Sequence, residues 1–228
     1  MKKLFTVIRQ GKLDEVKRLI EKKPELVHCV SGPLPKKDHG QSPLQVALKT
    51  GKYEIADYLI EHGADVNFME AEDDDPGLRA PVLFDAISAV IISLCYKRFD
   101  ESETAFEYID KMVEKGADVN KCASNGFDAM QWAVNQAELL FERPTVYSQS
   151  QEAVRKQLAK ILDLLIEHGA DYAAWARRGR YAQPYPGPSN KSMYLDDFVP
   201  GEGMDIDKKK EMRAFMQEYF RSRNLHVE

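Results

Sequence analysis

One phrase occurs three times in this chain and restricts what it can fold into. Ile60-Glu61-His62-Gly63-Ala64-Asp65-Val66-Asn67 returns as Val113-Glu114-Lys115-Gly116-Ala117-Asp118-Val119-Asn120, and again as Ile166-Glu167-His168-Gly169-Ala170-Asp171-Tyr172. Each copy reads as a helix end followed by a sharp turn. The glycine lacks a Cβ and so takes the left-handed conformation that closes a helix. A repeated helix stop implies a repeated supersecondary unit, with function carried on the surface of the stack.

Apolar residues at helical spacing fill in the units. Leu4, Phe5, Val7 and Ile8 predict a short helix ending near Gly11; Leu13, Val16, Leu19 and Ile20 predict a second, stopped by Pro24. Leu83, Ala86 and Ile87 match Leu44, Ala47 and Leu48, and Phe106, Ile109, Met112 and Val113 form the stripe ahead of Gly116. A fourth unit holds Met130, Ala133 and Val134, then Leu158, Ile161, Leu162, Leu165 and Ile166. Segment 29–39, with Gly32, Pro33 and Pro35, reads as a loop.

Residues 40–67 resemble one complete ankyrin repeat, with Ser42-Pro43-Leu44-Gln45-Val46-Ala47 standing where that family opens on T-P-L-H-x-A. The resemblance extends more loosely over residues 1–173. It implies an all-α, ankyrin-type helical solenoid of about four repeats, at 1–28, 40–67, 80–120 and 125–173. The chain departs from the family in spacing. Gly63, Gly116 and Gly169 lie 53 residues apart, whereas ankyrin units run ~33. The surplus is expected mainly between the paired helices, near 88–102 and 138–157, with the first helix of units three and four lengthened. Beyond the array, 174–203 reads as an extended Pro- and Tyr-rich wrap. Met212, Phe215, Met216 and Tyr219 then mark a C-terminal capping helix.

Composition narrows the function. A net charge of −5 argues against nucleic acid as the main partner. Cys29, Cys95 and Cys122 form no C-x-x-C pair and read as reduced thiols. The N-terminal apolar stretch breaks at Arg9, short of a signal peptide, and the apolar run 81–96 is too short to span a bilayer. The expectation is a cytoplasmic protein, with a monomer favoured and neither membrane nor nucleic acid among its partners.

Candidate chemistry is sparse. His62 and His168 share a slot that Lys115 fills in the third copy, which suits helix-end carbonyls and not a metal. Asp65, Asp118 and Asp171 lie a repeat apart and read as turn-stabilising acceptors. No P-loop, G-x-S-x-G or H-E-x-x-H motif occurs. No cofactor, metal or catalytic residue is expected.

The resemblance implies a non-enzymatic protein-binding module whose partner docks on the concave face and hairpin fingers. Carried onto this chain, the inner-helix positions are Arg9, Gln10, Lys49, Thr50, Ser88, Ala89, Asn135 and Gln136, with Trp132 beside them. The finger positions include Asp38, His39, Gln41, Ser124, Asn125 and Phe127, and Asp73, Asp74 and Asp75 form an acidic fingertip suited to electrostatic steering. Two alternatives stay open: an immunity or antitoxin-like inhibitor of a partner enzyme, or an enzyme whose site the C-terminal extension completes.

Overall fold

In the computed structural model, residues 2–32, 38–71, 78–141, 151–173 and 206–225 are described. The acidic fingertip, the insertion at 142–150 and the Pro- and Tyr-rich wrap lie outside the described residues. The chain divides into two compact units, Met1–Ala129 and Met130–Glu228.

The first unit stacks three helical pairs. Helices α1 (Lys2–Arg9) and α2 (Leu13–Lys22) form the first pair, followed by a 3-10 turn at Pro24–His28. Helices α3 (Pro43–Lys49) and α4 (Tyr53–Glu61) form the second, and α5 (Val82–Cys95) and α6 (Phe99–Glu114) the third. Helix α1 packs on α3 and α3 on α5, while α2 packs on α4, so the first helices of the pairs make one layer. Leu4, Ile8, Leu44, Leu48, Ile55, Leu59, Leu83 and Ile87 fill the space between them, each no more than 2% exposed.

Local chemistry sets the helix ends. Ser42 and Gln45 form a capping box: Ser42 Oγ accepts from the Gln45 N–H at 3.2 Å, and Gln45 Oε1 accepts from the Ser42 N–H at 3.1 Å. The repeated stop is also present. Gly63, Gly116 and Gly169 sit at φ +86°, +87° and +87°. The alanine after each donates its N–H five residues back, to Leu59, Met112 and Leu165. Asp65 and Asp118 each accept from the N–H two residues on, at 2.8 and 2.9 Å, the turn role expected of them.

Most of the third repeat's surplus over ~33 residues, 14 of about 20, lies inside its helices and none in the turn between them. Helix α5 has 14 residues where α3 has 7, and α6 has 16 where α4 has 9. The connecting turn stays three residues long, at 50–52 and 96–98. Seven residues make nearly two full turns, so each helix lengthens by about 10 Å and keeps its buried face in register. Ser102, fully buried, donates to the Val90 carbonyl at 3.0 Å and ties the added turns together.

Successive repeats are joined by polar bonds as well as packing. The Asn67 side chain donates to the Gly116 carbonyl at 2.8 Å and accepts from the Asp118 N–H at 2.7 Å. Tyr108 stacks on Tyr53 with centroids 5.0 Å apart and donates to its carbonyl at 2.9 Å. Lys111 pairs with Asp57.

The second unit contains α7 (Ala129–Phe141), α8 (Gln151–Glu167) and α9 (Ile206–Ser222). Helix α9 lies against α8. Met212, Met216 and Tyr219 are buried, Tyr219 donates to Asp163 at 2.8 Å, and Arg223 binds both oxygens of the same carboxylate.

Candidate functional site

The expected surface residues of the first unit fall into those that face solvent and those already used inside the protein. Along α1 and the residue that follows it, exposure recurs at Lys2, Lys3, Thr6 and Gln10, one stripe at helical spacing. On α3 the exposed residue is Lys49, whose Nζ donates to Gln41 Oε1 at 3.3 Å. Thr50 turns its hydroxyl back to the Val46 carbonyl at 2.6 Å, closing its own helix. On α5, Asp85, Ser88 and Ala89 are half-buried and Ile92 is exposed.

The fingers are a connected row. The finger after α4 is held by the Met69–Pro81 bridge, with Glu70 N–H donating to the Ala80 carbonyl at 3.3 Å. Its neighbours are bound to it through the main chain, from Ala71 to the Gly40 carbonyl at 2.9 Å and from Ser124 to the Arg79 carbonyl at 2.9 Å. Ser124 Oγ accepts in return from the Arg79 N–H at 2.9 Å. Asn125 Oδ1 accepts from the Phe127 N–H at 3.1 Å. His39 is half-buried.

One correction is needed among the fingers. Asp38, expected on an exposed finger, is 0% exposed, and Arg9 bonds its two oxygens. A carboxylate so enclosed is kept in place by its counter-ion, because burying either charge alone is costly. This pair anchors the first finger to α1 instead of facing a partner. Gln41 is also buried.

Trp132, Asn135 and Gln136 lie on α7 in the second unit, half-buried and at helical spacing on one face.

Two features escaped the sequence reading. The first is a polar network at the base of the central finger. Glu70 accepts from Gln41 Nε2 at 2.6 Å and from the Ala80 N–H at 2.9 Å. Gln45 Nε2 donates to the Ala80 carbonyl at 3.3 Å and to Asp85 Oδ2 at 3.0 Å. Burial pushes the Asp85 carboxyl up to about 7; Glu70 adds to this, while Gln45 and Lys49 oppose it. Asp85 is the one charged residue in the run 81–96, and that was its only signal. The second feature is the α5–α6 tip, where Ile92, Tyr96 and Phe99 are 43%, 67% and 46% exposed. A helix as apolar as α5 does not reveal which face stays wet.

His62 holds the helix-end place assigned to it. Its Nδ1 lies 2.7 Å from the Tyr58 carbonyl oxygen and its ring 3.8 Å from the Tyr58 ring. Among the described residues, no three His, Cys, Asp or Glu side chains are grouped to hold a metal ion. No helix among them is long and apolar enough to cross a membrane.

Residues 2–70 match the family model described as ankyrin repeats (3 copies). The match covers the first two helical pairs and the start of the central finger.

Proposed function

We propose that this chain, an ankyrin-repeat protein whose matched repeats span residues 2–70, works by holding a protein partner on the face that carries the exposed stripes of α1, α3 and α5. Ankyrin repeats mediate protein–protein interaction, and the family is typically non-enzymatic. The observation that carries the reading is the pairing of a fixed scaffold with an exposed polar face. The fingers are bonded to one another along the main chain, while Gln10 and Lys49 are exposed on neighbouring helices beside them. A preorganised surface loses little conformational entropy on binding, so its polar contacts translate into affinity and specificity. Asn135, Gln136 and Trp132 are further contact candidates, and Asp73, Asp74 and Asp75 are candidates for steering.

The test is a quantitative pull-down from the native source with wild type, Gln10→Trp/Lys49→Trp, which adds bulk on the face, and an outer-face control, Glu54→Arg. A partner retained by wild type and the control but lost by the double variant supports the reading. Equal retention on all three sinks it.

A further inference from the structure

The exposed stripe of α5 is chemically divided along its length. Asp85 and Ile92 are seven residues apart and therefore lie on nearly one line, with Ala89 and Tyr96 within about 40° of it. Exposure follows the same line: Asp85 and Ala89 are half-buried, Ile92 is 43% exposed and Tyr96 67%. From Asp85 to Tyr96 the stripe runs about 16 Å. Its outer half stands on the two added turns, beyond the reach of α3. Tyr96 is steadied by the Arg98 guanidinium, 5.2 Å from its ring centroid.

We propose that the partner segment taken by this face is a basic amphipathic α-helix lying along α5. It places a Lys or Arg against Asp85 and Glu70, and apolar side chains over Ala89, Ile92 and Tyr96. The inference rests on the partner-binding reading above and gives that partner a chemistry.

Three observations select this occupant. The finger end of the stripe brings together two carboxylates, Glu70 and Asp85, with Lys49 as the neighbouring cation. Two carboxylates against one ammonium leave a net negative charge once Asp85 is ionised, above about pH 7, so an incoming cation is favoured there and an acidic segment repelled. The tip gathers three of the large apolar side chains exposed among the described residues, an arrangement that marks an interaction surface and not scattered exposure. Finally, the main chain of α5 is satisfied within its own helix, so it offers no edge for an extended peptide to pair with. A helix needs no such edge, and the small Ala89 between the charged and apolar ends lets its backbone come close.

The probe is a phage-displayed library of random 16-residue peptides selected on the full chain. The enriched peptides are then measured by fluorescence anisotropy at pH 8, where Asp85 is ionised, against wild type, Asp85→Asn, Ile92→Ser, Tyr96→Ser and Lys49→Glu. Asp85→Asn retains an acceptor for Gln45, and melting curves confirm that each variant is folded. The expected result is enrichment of peptides with Lys or Arg about two turns from large apolar residues spaced three or four apart. Their binding should weaken about tenfold for Ile92→Ser and Tyr96→Ser, and about fivefold or more for Asp85→Asn. Acidic or patternless peptides, no enrichment, or binding untouched by the α5 variants overturns the inference. Peptides that respond to Lys49→Glu but to none of the α5 variants overturn it while leaving the partner-binding reading standing. Peptides insensitive to every variant count against both.

Discussion

Arg9 and Asp38 grip each other across the first repeat. Arg9 Nε donates to Asp38 Oδ2 at 2.7 Å and a terminal nitrogen donates to Oδ1, with Asp38 wholly buried and Arg9 22% exposed. One residue ends α1 and the other opens the segment that leads into α3, so the pair ties that segment to the first helix. Arg9→Ala strands a buried carboxylate and is expected to cost about 2–3 kcal/mol. Arg9→Lys keeps the charge but loses the fork, and should recover only part of this. Urea unfolding midpoints decide it; an Arg9→Ala midpoint equal to wild type would show that the pair contributes nothing.

The turn between α5 and α6 places Lys97 at φ +57°, where the equivalent turn between α3 and α4 has Gly51 at φ +64°. The hydrogen bonds match: Gly51 to Leu48 and Lys52 to Ala47, then Lys97 to Leu94 and Arg98 to Ser93. The fold thus holds a side chain in a conformation that favours glycine. Lys97→Gly is expected to stabilise by about 0.5–1 kcal/mol, the relief of strain exceeding the added freedom of the unfolded chain. Gly51→Ala should destabilise by a similar amount. Thermal melts of the two variants should move in opposite directions.

Asp85 links stability to pH. Folded, its carboxyl holds a proton up to about pH 7, because of burial and then Glu70; unfolded, it releases it near the ordinary carboxylate value of 3.8. Between these values the folded state binds more protons, so this group's contribution to stability falls as pH rises through the window, and the whole cost is present above it. Asp85→Asn removes the cost. It should gain at least about 1 kcal/mol over wild type at pH 8 and little at pH 4. A difference independent of pH would contradict this.

Asp163 has the opposite sign. Burial would raise its carboxyl, but the bonds from Arg223 and Tyr219 outweigh this and hold it below 3.8. Its contribution is present above the ordinary carboxylate range and lost as pH falls through the lowered value. Arg223→Ala is expected to cost about 1 kcal/mol at pH 7, since the pair is partly exposed, and less at low pH. Deleting residues 206–228 removes the buried Met212, Met216 and Tyr219 as well, at about 1.5–3 kcal/mol each. A deletion variant that melts with wild type would show that α9 does not stabilise the unit.

How much of this was legible follows from which signals are local. The helix stops at Gly63, Gly116 and Gly169 and the turn carboxylates Asp65 and Asp118 involve neighbours in sequence, and they read correctly. The lengthening of α5 was legible, because its apolar run continues past Ser88. The equal lengthening of α6 was not: its added first turns, Phe99 to Glu103, are mostly polar and carry no apolar stripe. Asp38 reads as a polar finger residue because its partner, Arg9, lies 29 residues away. The wet face of α5 was hidden for a different reason: nearly every residue of that helix is apolar, so no polar stripe marks it.

The most direct measurement of the central claim is site-specific photo-crosslinking in the native source. A benzophenone side chain replaces Gln10, Lys49 or Ala89 on the face carrying the exposed helical stripes, and Glu54 or Glu107 on α4 and α6. The account predicts one partner band from the first three positions and none from the last two, with Ala89 adducts mapping to a basic helical segment of that partner. The same band from Glu54 and Glu107, with none from Gln10, Lys49 and Ala89, would contradict it.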